Sequence, residues 1–216
     1  MDATVTVAAV RDVGPGTVAI EFETPAEFEA EPGQFVKLSA TIDDESYARF
    51  YTLSSPGVTD TFEVTVGIDP DEAGPFSHHL ESLAAGDTID LSGPFGQSYY
   101  DGEASVVVLA GGPGIGPAVG IAEAAVADGN EAAVVYLDDA PAHETRLDAL
   151  SDAGASVVVT DDEADLTDAV ADALSGDDVD EEQVFVYGFA SFVDAAIEAL
   201  EAAGGDADAA KVENFG

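Results

Sequence analysis

The chain contains no cysteine. That absence excludes disulfides, thiolate zinc sites and cysteine-ligated iron–sulfur clusters. Positive charge is nearly as scarce: five Lys and Arg stand against 45 Asp and Glu, a formal net charge of −40 over 216 residues. Binding a phosphate backbone requires cations that displace its counterions, so no nucleic acid partner is expected. The same deficit argues against docking on anionic lipid. No run approaches the ~20 apolar residues of a membrane-spanning helix, and MDATVTVAAVRDV has no basic leader, so a cytoplasmic protein without membrane insertion is expected. What is present excludes a disordered acidic chain, because 46% of the residues are hydrophobic and apolar runs recur throughout.

Forty surplus negative charges repel one another in dilute salt, whereas molar salt shortens the Debye length to ~3 Å. The acidic coat is therefore similar to that of proteins from salt-loving cytoplasms, and most of these carboxylates are expected to be solvated. The five cations, Arg11, Lys37, Arg49, Arg146 and Lys211, are few enough for each position to be informative.

Two textures divide the chain near Asp101-Gly102. Residues 1–100 alternate in short stretches, with strands expected at 4–10, 17–23, 34–42, 50–54, 62–68 and 88–92 and one helix at 75–83. Gly-Pro and Pro-Gly turns punctuate them, which predicts a small antiparallel β-barrel or sandwich. Residues 101–216 alternate continuous apolar runs (106–109, 132–137, 156–160, 184–187) with helical stretches (117–127, 144–150, 166–174, 192–203). A last short strand is expected at 211–215. That alternation predicts an α/β domain with a parallel sheet.

Three segments carry chemistry. In Arg49-Phe50-Tyr51-Thr52-Leu53-Ser54-Ser55 a strand places Arg49 and Tyr51 on one face, where a guanidinium can hold a phosphate and a phenol can wall a flat ring. In Ala110-Gly111-Gly112-Pro113-Gly114-Ile115-Gly116-Pro117 a glycine loop lies between a buried strand and a helix, so backbone amides can approach a pyrophosphate. Pro117 stands where a strict dinucleotide fingerprint has its third glycine, and the Gly-Lys-Ser/Thr of a P-loop is absent. The third segment is Tyr187-Gly188-Phe189, at the end of a predicted strand.

These segments and their order resemble the ferredoxin–NADP reductase superfamily of two-domain flavoenzymes. Arg49, Tyr51, Thr52 and Ser55 fit its Arg-x-Tyr-Ser/Thr-x-x-Ser flavin signature, and Pro32-Gly33-Gln34-Phe35 fits the lead-in to the preceding strand. Gly74-Pro75-Phe76-Ser77 begins its Gly-x-x-Ser pyrophosphate element, Gly93-Pro94-Phe95-Gly96 its closing turn, and Gly111, Gly112, Gly114, Ile115 and Pro117 its nicotinamide-nucleotide signature. The resemblance implies an FAD-binding barrel at 1–100 and an NAD(P)-binding α/β domain at 101–216. It implies that Arg49 holds flavin phosphate, Tyr51 packs on the flavin, Thr52 lies near N5, and Phe50, Ser77 and neighbouring amides complete the flavin site. Tyr187 replaces a family cysteine beside the nicotinamide, next to Gly188 and Phe189. The terminal Glu213-Asn214-Phe215-Gly216 matches a family ending in which the Glu approaches the reacting rings and the Phe covers the flavin.

The implied activity is a flavin oxidoreductase that passes hydride from NAD(P)H to FAD and then electrons to an acceptor, a ferredoxin-like protein or a small molecule. FAD is favoured over FMN by the pyrophosphate element, with Tyr99 and Tyr100 as candidate adenine partners. NADH is favoured over NADPH because Asp138 and Asp139, and Asp161 and Asp162 after the next strand, stand where a 2′-phosphate pocket needs cations; Arg146 is the one candidate rescue. A non-catalytic flavin-binding relay subunit, with Tyr187 blocking the nicotinamide, is the second reading. His78, His79 and His143 lack metal-ligand spacing, so no metal site is expected.

Overall fold

The computed structural model describes residues 1–68, 73–174 and 182–215. Six antiparallel strands form the first lobe: β1 (Asp2–Gly14), β2 (Thr17–Glu23), β3 (Phe35–Ile42), β4 (Glu45–Thr52), β5 (Thr61–Gly67) and β6 (Thr88–Phe95). Their order is β4-β3-β6-β1-β2-β5, and an isolated Leu53–Val64 bridge joins the two ends of the sheet into a barrel. Inward residues such as Ile20, Phe22, Val36, Leu38, Phe62 and Val64 are all but inaccessible and fill it. Helix α1 (Pro75–Ser82) plugs one end through Phe76 and Leu80.

The second lobe is a five-stranded parallel sheet, β11-β10-β7-β8-β9, built from β7 (Ser105–Gly111), β8 (Glu131–Leu137), β9 (Ser156–Thr160), β10 (Gln183–Gly188) and β11 (Lys211–Asn214). Val106 to Ala110 are buried on both faces, as a central strand flanked by helices requires. Helices α2 (Ile115–Asp128) and α3 (Glu144–Asp152) cover the face nearer the barrel; α4 (Leu166–Ala173) and α5 (Ala190–Ala202) cover the other.

The expected barrel and parallel-sheet domain are both present. The largest departure is β4, which starts five residues before the expected 50. Asp43 and Asp44 both take positive φ (51° and 68°), the backbone of a two-residue hairpin turn. The first half of β4, Glu45-Ser46-Tyr47-Ala48, lies at the rim and shows no apolar alternation because it faces water.

The lobes touch through glycines. A methyl group on Gly116 would lie 2.5 Å from the Thr65 side chain, and one on Gly120 would lie 2.8 Å from the Ser54 carbonyl. Helix α2 therefore rests directly on the barrel wall. Gly120→Ala should cost about 1–3 kcal/mol by overpacking, read as a lowered melting temperature; an unchanged melting temperature would show that the lobes are not pressed together there.

Candidate active site

A cavity of about 200 Å³ opens at the seam of the two lobes. The barrel contributes Arg49, Phe50, Tyr51 and Thr52 from β4, Thr65 and Gly67 from β5 and Ser77 from α1. The second lobe contributes Pro113 and Pro117 from the turn after β7, Phe189 after β10, and Phe215. Residues as far apart in sequence as Arg49 and Phe215 thus meet around one opening.

Arg49 is the informative cation. Arg11 pairs with Glu21 and Glu63, Arg146 with Glu63 and Glu123, and Lys211 with Glu103. Among the described residues the exposed Arg49 has no carboxylate partner, and its guanidinium donates only to the neighbouring Ala48 carbonyl, at 2.8 Å. In a chain with forty surplus negative charges, an unpaired guanidinium at a cavity mouth fits an anionic ligand. Tyr51 lines the wall, and burial pushes its phenol up to about 12, so it remains protonated at neutral pH.

Thr52 donates to Glu213 Oε1 at 2.8 Å, tying the barrel to β11. Burial raises the Glu213 carboxyl above its ordinary range, and the Thr52 hydroxyl partly offsets this. Phe215 donates its amide to the Gly188 carbonyl at 2.9 Å and meets Phe189 edge-on, so these two rings form one rim. Phe50 is exposed and meets Phe35 and Phe95 edge-on, and those two rings are tilted against each other. Gly74 precedes α1 without a side-chain cap and Pro75 occupies the first turn, which leaves open backbone beside Ser77. Gly112, at φ 55°, has open space where a Cβ would stand.

Several predicted residues lie elsewhere. Ser55 is buried and accepts the Glu63 amide at 2.6 Å. Phe76 points into the barrel core. Gly111 and Gly188 make room for the Phe192 ring, Gly114 passes against the Tyr187 carbonyl, and Ile115 is core. Asp138 staples its own loop, accepting from the Tyr136 hydroxyl at 2.9 Å and the Ala140 amide at 2.8 Å, while Asp139 is exposed.

Three expectations need correction. Tyr187 does not line the cavity: it is fully buried, and its hydroxyl donates to the Ser98 carbonyl at 3.3 Å. Only a glycine fits at position 33 beside that hydroxyl, so the large side chain is absorbed into the lobe interface. Tyr100 is not available to stack on adenine, because it is buried with its hydroxyl held between Asp128 (3.1 Å) and Asn130 (2.7 Å). Arg146 is not available to a 2′-phosphate, because its guanidinium is committed to Glu123, Glu63 and the Ser54 carbonyl. Tyr99 is half-buried and its carbonyl accepts from Lys211 at 2.7 Å. Gly216 lies outside the described residues. Among those described, no cluster of His, Asp and Glu is arranged to hold a metal ion.

Sequence reasoning missed Thr65, Gly67 and Pro113 as lining residues. Thr65 alternates with Val64 and Val66 as Thr61 and Glu63 do with Phe62, so the sequence did not mark its burial; only the fold brings Gly67 against Pro113, 3.4 Å from where its Cβ would be.

Residues 4–100 match the family model described as the oxidoreductase FAD-binding domain. Over 107 residues the chain is 32% identical to a probable dihydroorotate dehydrogenase B (NAD(+)) electron transfer subunit of Methanopyrus kandleri, a match covering 50% of this chain and 38% of that protein. Over 99 residues it is 40% identical to the glycine betaine monooxygenase reductase subunit of Chromohalobacter salexigens, covering 44% of this chain and 26% of that protein. The matched region is thus well under half the length of these curated relatives. A crystal structure of a ferredoxin NADP+ reductase from Neisseria gonorrhoeae, with bound FAD and NADP, superposes over 100% of this chain and 99% of that one with TM-score 0.81 at 19% identity. Residues 4–100 are therefore similar to an oxidoreductase FAD-binding domain, and the whole chain shares the two-lobe fold of that reductase structure.

Proposed function

We propose that the protein is a flavin-dependent oxidoreductase that takes hydride from NADH onto FAD and passes electrons to an acceptor, a ferredoxin-like carrier or a small molecule. The observation that carries this reading is the seam cavity, where an unpaired Arg49 and the Tyr51 wall of one lobe face the Pro113–Pro117 turn of the other. Residues 1–100 hold the flavin and 101–216 present the nucleotide.

The side chains fit such a group. Arg49 supplies the charge for a pyrophosphate, open amides at the start of α1 and the Ser77 hydroxyl supply further donors, and this anion-binding element favours FAD over FMN. A cavity of about 200 Å³ matches a ring system rather than a whole dinucleotide. When bound, the flavin supplies a hydride acceptor and a route for electrons, chemistry that no protein side chain offers. The protein's part is orientation. Tyr51 walls the ring pocket, Thr52 and Glu213 close its floor with one hydrogen bond between the lobes, and Phe189 and Phe215 exclude water from one rim.

Because Arg146 is spent elsewhere and the loop after β8 carries Asp138 and Asp139 where a 2′-phosphate pocket needs a cation, NADH is preferred to NADPH. The relay-subunit reading drew its support from a blocking Tyr187, and the buried position of that side chain removes it. The acidic coat suits a salt-rich cytoplasm. Separate titrations of FAD-loaded protein with NADH and NADPH, over a range of KCl, test the assignment. Tighter NADH binding, most pronounced at low salt, is expected; equal affinities would overturn the coenzyme preference.

A further inference from the structure

The chain crosses between the lobes once, at residues 96–104, so their relative orientation rests on non-covalent contacts. Lobes joined in this way move unless a specific interface holds them. One such interface is concentrated on Ser54, two residues beyond Thr52. Arg146, on α3, donates from Nη2 to the Ser54 carbonyl at 2.7 Å. The same guanidinium donates to Glu123 of α2 at 2.7 and 2.6 Å and to Glu63 of β5 at 3.0 Å. Glu63 in turn accepts from Arg11 at 2.6 Å.

A second chain of contacts reaches the same residue. The Ser54 hydroxyl meets Thr65 Oγ1 at 2.7 Å, and Thr65 Oγ1 meets His143 Nε2 at 2.8 Å. Thr65 itself lines the seam cavity. His143 is buried and takes a left-handed backbone (φ 56°), which turns its amide onto the Val13 carbonyl of the barrel at 2.7 Å. Two residues three apart in the second lobe thus hold the Ser54 carbonyl directly and the Ser54 hydroxyl through Thr65.

We propose that Arg146 and His143 are positioning residues: acting through Ser54 and Thr65, they fix the separation at which the nucleotide-presenting lobe meets the flavin-holding strand. This rests on the function proposed above. Neither residue lines the cavity that Arg49 and Tyr51 wall (Arg146 borders a separate one of about 700 Å³ on the far side of Ser54), so the expected signature is a defect in transfer rather than in flavin affinity. A displacement of about 1 Å between reacting groups costs up to about 100-fold in rate.

The test compares unmodified protein with Arg146→Gln and, as a second variant that leaves the ion pairs intact, His143→Asn. Asn tolerates the left-handed backbone but is too short to reach Thr65. For each, FAD affinity, the KM for NADH, the rate of flavin reduction in anaerobic stopped flow, and amide exchange at the α2–β5 contact are measured. Unchanged FAD affinity and KM, reduction slowed about 10- to 100-fold, and faster exchange confined to the contact are expected. Reduction at the normal rate despite loosened contacts would overturn the proposal, as would a parallel loss of FAD affinity, which would make the pair a general support of the barrel. The exchange measurement is also made on flavin-free protein: if the unmodified chain binds no FAD, the functional reading fails, while unaltered exchange in both variants would separately remove the latch.

Discussion

Replacing Arg49 with Gln is expected to weaken FAD binding by about 30-fold, near 2 kcal/mol, the scale of a lost charge-assisted hydrogen bond to phosphate. The residue is exposed and donates only to the adjacent Ala48 carbonyl, so the fold has little to lose. Quenching of flavin fluorescence on titration gives the dissociation constant. Lys37→Gln is the control, because Lys37 removes the same charge from the same barrel without lining the cavity. Equal effects from the two substitutions would mean that bulk charge, not the position of Arg49, matters.

Acid should unfold the protein partly through His143. Burial, together with the nearby Arg146 and Arg11 guanidiniums, lowers its pKa from 6.5 to about 3. The folded protein therefore refuses a proton that the unfolded chain accepts. Stability from this group is complete above about pH 6.5 and falls as pH drops towards 3. Between about pH 6.5 and pH 4 the loss amounts to about 3 kcal/mol. Glu63 and Glu213, whose carboxyls burial raises, act in the opposite sense and are common to variant and parent. His143→Gln keeps a hydrogen-bonding group without the titration. Its urea stability should be less dependent on pH over that interval; parallel pH profiles would show that His143 ionises as readily folded as unfolded.

The sequence exposed what depends on local chemistry. Glycine and proline turns marked the barrel strands, and the continuous run at Val106 to Leu109 marked a strand buried on both faces. Arg49, Tyr51, Ser77 and Phe215, separated in sequence, were gathered by a motif order and do meet around one cavity. What stayed hidden depends on the other lobe. Gly116 reads as part of a phosphate loop, yet it is small because Thr65 lies against it. Tyr187 reads as a pocket wall, but Gly33, more than 150 residues earlier (187 − 33 = 154), leaves the space that buries it. Arg146 reads as a free cation, and only three-dimensional proximity reveals Glu63, Glu123 and Ser54 around it. Charge abundance misled in the same way: Asp138 looks like ribose chemistry and serves its own turn.

The most direct test of the seam site is anaerobic addition of NADH to protein reconstituted with FAD in molar KCl. Loss of the flavin's visible absorbance on mixing is the predicted result, with less flavin retained and bleached by Arg49→Gln protein at limiting FAD. Protein that stays colourless after reconstitution, or a yellow protein that NADH leaves unbleached, would contradict the account.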